Sequence, residues 1–320
     1  MKYDKRPVVL LTVSLLLLAI VGGCVRRTPH QRLGWKAEDF FKDARVISLC
    51  NAIERRDIAE IERLAKSGVN INAKGRGNMT PLLWAFPMGE TVFKKMLDLG
   101  ADPNVKTSGR VWPFPLYDTY SVMSTCANPT FVEGGIHNEY FRDVPMDNYL
   151  KLVLKHGGNP NIEDANGETP IFYMGGSNVS EKTHLLCDAG ADLNHRKSCG
   201  ATPLIERTTA PSYVLCLLKA GADYRMANDN GWDLVLILEN LKTPQGPSGQ
   251  AQSFSDRQVA QAKPVFDWLS NEGVNWKAAR EALNSPETMQ NLKNLPADYK
   301  HRPWLPQRPT LKKPDDKAKK

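Results

Sequence analysis

The chain has 320 residues, with 42 Lys and Arg against 35 Asp and Glu and a formal charge of +7. The excess is modest and spread along the chain, apart from a crowd at the C-terminus (Lys312, Lys313, Lys317, Lys319, Lys320). Such a balance gives no support to a nucleic-acid partner, which calls for a basic face.

Residues 1–23 read as an export signal. Lys2, Lys5 and Arg6 precede an apolar run from Val8 to Val21, which has the length of a signal-peptide core and falls short of the roughly 20 residues of a membrane span. The run ends in Val21-Gly22-Gly23-Cys24, which resembles a bacterial lipobox, where cleavage precedes a cysteine that receives acyl chains. An ordinary signal peptide or uncleaved anchor needs only small residues there, so Cys24 favours the lipoprotein. Acyl chains contribute about 0.8 kcal/mol per buried CH₂. Val25, in place of Asp, resembles the pattern sorted to the outer membrane. Residues 1–23 carry three basic groups and one acidic one, so the mature chain keeps +5.

Residues 24–36 are polar and read as a tether, and Ala37 to Asp43 as an N-terminal cap. Val46, Leu49, Cys50, Ala52 and Ile53 then form the apolar face of one helix, and Ile58, Ile61 and Leu64 that of a second. Lys74 to Asn78 is a hairpin tip whose glycines supply positive φ. Thr80 opens a second helix pair, with Phe93, Met96 and Leu97 facing inward. A third pair is predicted over 121–127 and 147–155, a fourth from Thr169, a fifth from Thr202 and a sixth from Gly231 to Asn271, with a kink or late start at Pro264. In the fourth, Leu185, Leu186 and Ala189 are assigned to the core. Thr80-Pro81, Thr169-Pro170 and Thr202-Pro203 each suit a helix start, Thr as cap and Pro in the first turn.

Six copies of one helix stop punctuate these pairs: Gly68-Val-Asn-Ile-Asn, Gly100-Ala-Asp-Pro-Asn, Gly157-Gly-Asn-Pro-Asn, Gly190-Ala-Asp-Leu-Asn, Gly221-Ala-Asp-Tyr and Gly273-Val-Asn-Trp. They lie 32, 57, 33, 31 and 52 residues apart. A left-handed glycine closes a helix, and the regular gaps sit at the roughly 33-residue ankyrin period. The chain from about Ala44 to Ala278 resembles an ankyrin-repeat domain. The resemblance implies an all-α solenoid of about six helix–turn–helix repeats with short hairpin fingers on one edge, over residues 37–292. The longer gaps become insertions at 105–120, 128–146 and 243–255. Residues 293–320 form a Pro-rich basic tail, read from Pro296 as extended; its end is either solvated or held on anionic headgroups.

Trp112, Phe114 and Tyr117 fall on the expanded finger, and Tyr140 and Phe141 on the second insertion. These rings are either satellite core or anchors for a partner, with Arg76, Arg110 and Arg196 as a polar rim. No catalytic motif is present: no Gly-x-Ser-x-Gly elbow, no His-Glu-x-x-His and no phosphate-cradling loop. The chain reads as no enzyme and needs no cofactor. His184, Cys187, His195 and Cys199 are zinc-ligand types, but the ankyrin register points His184 to solvent and puts His195 and Cys199 on the next hairpin, so no metal site is assigned. With Cys24 acylated, five cysteines remain, an odd number that excludes complete pairing within the chain.

Exported ankyrin lipoproteins of this type resemble immunity or inhibitor proteins. The resemblance implies a protein partner bound on the periplasmic side of the outer membrane, such as a toxic effector, for instance a phospholipase delivered by a type VI apparatus. An envelope scaffold holding a resident partner is the alternative.

Overall fold

The computed structural model describes residues 27–108, 121–127, 146–174, 178–242, 255–296 and 301–306. Cys24, Arg110, Trp112, Phe114, Tyr117, Tyr140 and Phe141 lie outside them, as does nearly all of each predicted insertion. Among the described residues no helix is long and apolar enough to cross a membrane.

Helices come in antiparallel pairs. α1 (Pro29–Leu33) precedes them; the pairs are α2 (Ala44–Glu54) with α3 (Ile58–Lys66), α4 (Pro81–Ala85) with α5 (Glu90–Asp98), and α6 (Val122–Ala127) with α7 (Met146–Lys155). A 3-10 turn at Pro170–Tyr173 then pairs with α8 (Val179–Asp188), α9 (Pro203–Glu206) with α10 (Pro211–Lys219), and α11 (Leu234–Lys242) with α12 (Asp256–Asn271). α13 (Trp276–Leu283) and α14 (Pro286–Asn291) close the chain of helices. Second helices stack in one row, α5 on α7, α7 on α8, α8 on α10 and α10 on α12. The first-helix row runs α2 on α4, α6 on the 170–173 turn, and α9 on α11, with α13 packing where a seventh first helix would lie. This is an all-α ankyrin-repeat solenoid, stabilised between neighbours rather than within one unit.

All six predicted helix stops hold their glycine at positive φ: Gly68 81°, Gly100 90°, Gly157 85°, Gly190 85°, Gly221 98° and Gly273 90°. The asparagines that end these motifs have a role the spacing does not reveal. Asn72 Nδ2 donates to Gly100 O (3.1 Å) while its Oδ1 accepts from the Asp102 amide (2.8 Å). Asn104 does the same to Gly157 O (3.1 Å) and the Asn159 amide (2.6 Å), and Asn161 to Gly190 O (2.9 Å) and the Asp192 amide (2.7 Å). Each stop is thereby stitched to the stop of the next repeat, through bonds that each contribute about 1 kcal/mol net.

Several local expectations change. Thr80 caps α4 through a 3.3 Å bond from the Leu83 amide, but the Thr169 and Thr202 hydroxyls are buried without a hydrogen-bond partner among the described residues. After Thr169 the chain makes only a four-residue 3-10 turn, and the Phe172 amide that a cap would bind donates to Thr169 O instead (2.9 Å). In α8 the core residue is Leu186; Leu185 is half-buried and Ala189 exposed, whereas Thr183 and the whole side chain of Lys182 are buried. α12 runs through Pro264 from a capping box at Ser255.

Both flanks fold onto the repeats. Residues 28–34, read as tether, form a capped turn: Thr28 and Gln31 bond each other's amides reciprocally, and Gly34 ends it at φ 66°. His30 is fully buried and stacks 4.2 Å from the Trp84 ring, with Trp35, Phe40 and Phe41 around the same indole. Burial lowers the His30 imidazole to about 3. At the other end the segment read as extended instead buries Arg302 and Trp304. Arg302 Nη1 reaches Asp233 Oδ2 (2.9 Å) and Gly231 O (2.8 Å), and the Trp304 indole donates to the same carboxylate (2.8 Å).

Candidate functional site

The hairpin fingers form the candidate site. Each is a short reversal closed by one or two backbone bonds: Gly75 N to Met79 O (2.8 Å), Asp164 N to Glu168 O (3.0 Å), Lys197 N to Ala201 O (3.1 Å), Asn228 N to Trp232 O (2.9 Å). Asp164 and Asn228 rigidify their tips by accepting from the amides two and four residues on. Neighbouring tips are joined through backbone as well: Ser108 N to Gly77 O (3.0 Å), Ser198 N to Asn166 O (3.2 Å), Asp229 N to Cys199 O (3.3 Å). Fingers that in isolation would be loose are held as one continuous edge.

Side chains reinforce it. Arg196 spans to the next finger, giving Nη1 to Ala227 O (2.6 Å) and Nη2 to Asp229 Oδ1 (2.9 Å). A Cβ on Gly200 would meet that Asp229 oxygen at 2.0 Å, so the clasp closes only over a glycine. Lys197 sits between Glu168 and Glu206, 2.8 Å from each. Burial alone would push its ammonium down, but the two carboxylates more than reverse this and hold it above its ordinary value. The Tyr173 hydroxyl donates to Asp164, and burial together with that carboxylate pushes the phenol well up. His195 Nε2 lies 2.9 Å from Gly167 O.

Of the sequence-predicted rim, Arg76 is exposed on the first finger, its guanidinium 4.8 Å from the Phe40 ring centre, and Arg196 is committed to the clasp on the fourth. Lys106 pairs with Ser121 on this edge, so the chain enters and leaves the segment holding Arg110, Trp112, Phe114 and Tyr117 here; that segment itself lies outside the described residues. The insertion with Tyr140 and Phe141 leaves from the end of α6 and returns at the start of α7. Its roots lie at the opposite end of the helix pair, so the described residues do not bring the two aromatic groups onto one edge.

Cys50, Cys126, Cys187, Cys199 and Cys216 are free thiols, and burial pushes Cys50, Cys126 and Cys187 upward, away from the reactive thiolate. Among the described residues no group of three or more His, Cys, Asp or Glu is gathered to hold a metal; His184 is exposed on α8, and the His195 ring is turned to Gly167 O. Sequence reasoning missed the inter-finger ties, although Asp164-x-x-Gly167, Lys197-x-x-Gly200 and Asn228-x-x-Gly231 recur at 33 and 31 residues and mark turns as clearly as the helix stops do.

No family model matches the chain. A putative ankyrin repeat protein of fowlpox virus (strain NVSL) is 26% identical over 172 residues, a stretch that covers 53% of this chain and 20% of the viral protein. The chain thus matches about a fifth of that relative's length. The likeness agrees with the stacked helix pairs and the six glycine stops, and the architecture is one whose extended surfaces serve binding.

Proposed function

We propose that this chain is an exported, lipid-anchored protein-binding module on the periplasmic face of the outer membrane, acting as an immunity protein that sequesters a toxic secreted effector such as a type VI phospholipase. One observation carries the binding part: the finger tips are tied to one another through backbone and through the Arg196–Asp229 clasp. A pre-ordered edge loses little conformational entropy on docking, which favours tight association. The segment between Lys106 and Ser121, read from the sequence as an expanded finger, supplies Trp112, Phe114 and Tyr117, and Arg76 an exposed guanidinium, the residue types that dominate interface energetics. The export signal and Cys24 support the location, since an anchored inhibitor stands where an envelope-attacking enzyme works.

Competition between the parent strain and a deletion mutant tests the reading. The mutant is expected to be killed by the parent and rescued by the wild-type gene, less well by Cys24→Ser, and poorly by Trp112→Ala. Equal survival of parent and mutant would dispose of the immunity role. An envelope defect in the mutant grown alone would point instead to a resident partner.

A further inference from the structure

A cleft of about 810 Å³ opens at the end of the helices opposite the fingers. Its walls are the turn from α2 to α3, the turn from α4 to α5, and the start of α1. This volume falls within the range of small-molecule sites. Arg27, Arg32 and Arg56 line it together with Glu54 and Glu90, over an apolar floor of Ile58, Pro87, Met88 and Val92.

Three independent features give the cleft a chemistry. Arg56 has φ 56°, in the left-handed region, at the turn where the second repeat has Gly89 and the fourth has Asn178. An arginine held there costs on the order of 1 kcal/mol against glycine, and its guanidinium makes no side-chain hydrogen bond or ion pair among the described residues. Second, α5 starts from Gly89, which has no side chain to cap the first-turn amides, whereas α3 beside it is capped by Asp57 (3.0 Å from Glu60 N). An uncapped helix start favours an anion. Third, Glu54 is pushed upward, chiefly by burial, so a cation brought beside it would be welcomed.

We infer that the cleft binds the phosphodiester head group of a zwitterionic phospholipid. The phosphate sits on Arg56 and the open amides of α5, the ammonium faces Glu54 and Glu90, and the glycerol lies on Met88 and Val92. A lone carboxylate would fill little of the volume and would leave the acidic wall, where Glu90 already accepts from Asn148 (2.8 Å), without a cationic guest. The inference deepens the functional reading only in naming the membrane as the ligand's source, Arg27 being three residues past Cys24.

Calorimetric titration of the full chain in detergent, with glycerophosphoethanolamine and separately with inorganic phosphate, tests it. Arg56→Gly is the informative variant, because it removes the guanidinium and relieves the backbone, so the fold should be at least as stable. Head-group binding is expected to weaken about tenfold or more in R56G with no fall in melting temperature. Equal affinity for inorganic phosphate, with the same dependence on Arg56, would keep the phosphate site and assign it to the free ion. Unchanged binding in R56G, no binding by the wild type, or preference for a carboxylate-terminated tetrapeptide would overturn the inference. Palmitate labelling of Cys24 is read separately: its absence would remove the anchor while leaving head-group binding as the cleft's own property.

Discussion

Arg302 and Asp233, 69 residues apart in sequence, form a 2.9 Å ion pair with side-chain exposures of 2% and 0%. Asp233 also caps α11 by accepting from the Leu236 amide (3.0 Å). One carboxylate therefore starts the last repeat's first helix and holds the terminal plug. Burial keeps its pKa raised despite the arginine, the sign of a pair that is expensive to leave half-made. Arg302→Ala should cost about 3–5 kcal/mol, read by chemical denaturation. A loss under about 1 kcal/mol would mean that the plug is not engaged in solution.

The asparagine stitches predict a loss of coupling more than of any single repeat. Asn161→Ala deletes the bonds to Gly190 O and the Asp192 amide, and should cost about 1–3 kcal/mol. Because the lost bonds join repeats, the unfolding transition should also broaden as the two halves uncouple. A sharp, merely shifted transition would contradict this.

α8 separates two neighbouring leucines. Leu186 is fully buried, so Leu186→Ala should cost about 2–5 kcal/mol. Leu185 is half-buried, and its truncation should cost less than half as much in the same denaturation experiment. Reversal of the order would place the helix in the other register.

His30 makes the N-terminal cap pH-dependent. Its folded pKa of about 3 lies below the ordinary 6.5, so the unfolded or undocked segment binds the proton first. The stabilisation is complete above pH 6.5 and declines toward pH 3, by roughly 1.4 kcal/mol per pH unit for an isolated site. Fluorescence of Trp84 and Trp35 should therefore report release of residues 28–35 in mild acid. The transition should vanish in His30→Phe, which keeps the ring and removes the proton site.

Much of this architecture is legible in the sequence because its signals are local. A helix must end in a left-handed residue, so the glycines of Gly68 to Gly273 announce themselves, and Ile53, Phe93 and Met96 follow from helical spacing. What is not legible depends on partners far along the chain. Leu185 and Leu186 look alike until a neighbouring helix chooses between them. The Pro-rich end looks solvated by composition, yet Trp304 within it was a signal, since an indole in a solvated tail has nothing to cover. Thr28-Pro-His-Gln31 likewise spelled a capping box inside a stretch whose polarity suggested a tether. At the candidate site the hairpin turns are legible from their glycines, but the clasp of Arg196 on Asp229 depends on two turns 33 residues apart meeting in space.

A stack of repeats has no intrinsic length, since each end offers the surface that its neighbour covers elsewhere. Here chain belonging to no repeat folds onto both flanks, His30 against Trp84 of the second pair and Trp304 against Asp233 of the last. At the C-terminal end α13 takes the place of a further first helix against α11, so a copy stacking there, or a duplicated last unit, would have to displace it. Between existing repeats the asparagine stitches are interchangeable. New fingers, and with them a broader surface for a partner, are therefore gained more readily within the stack than at that end.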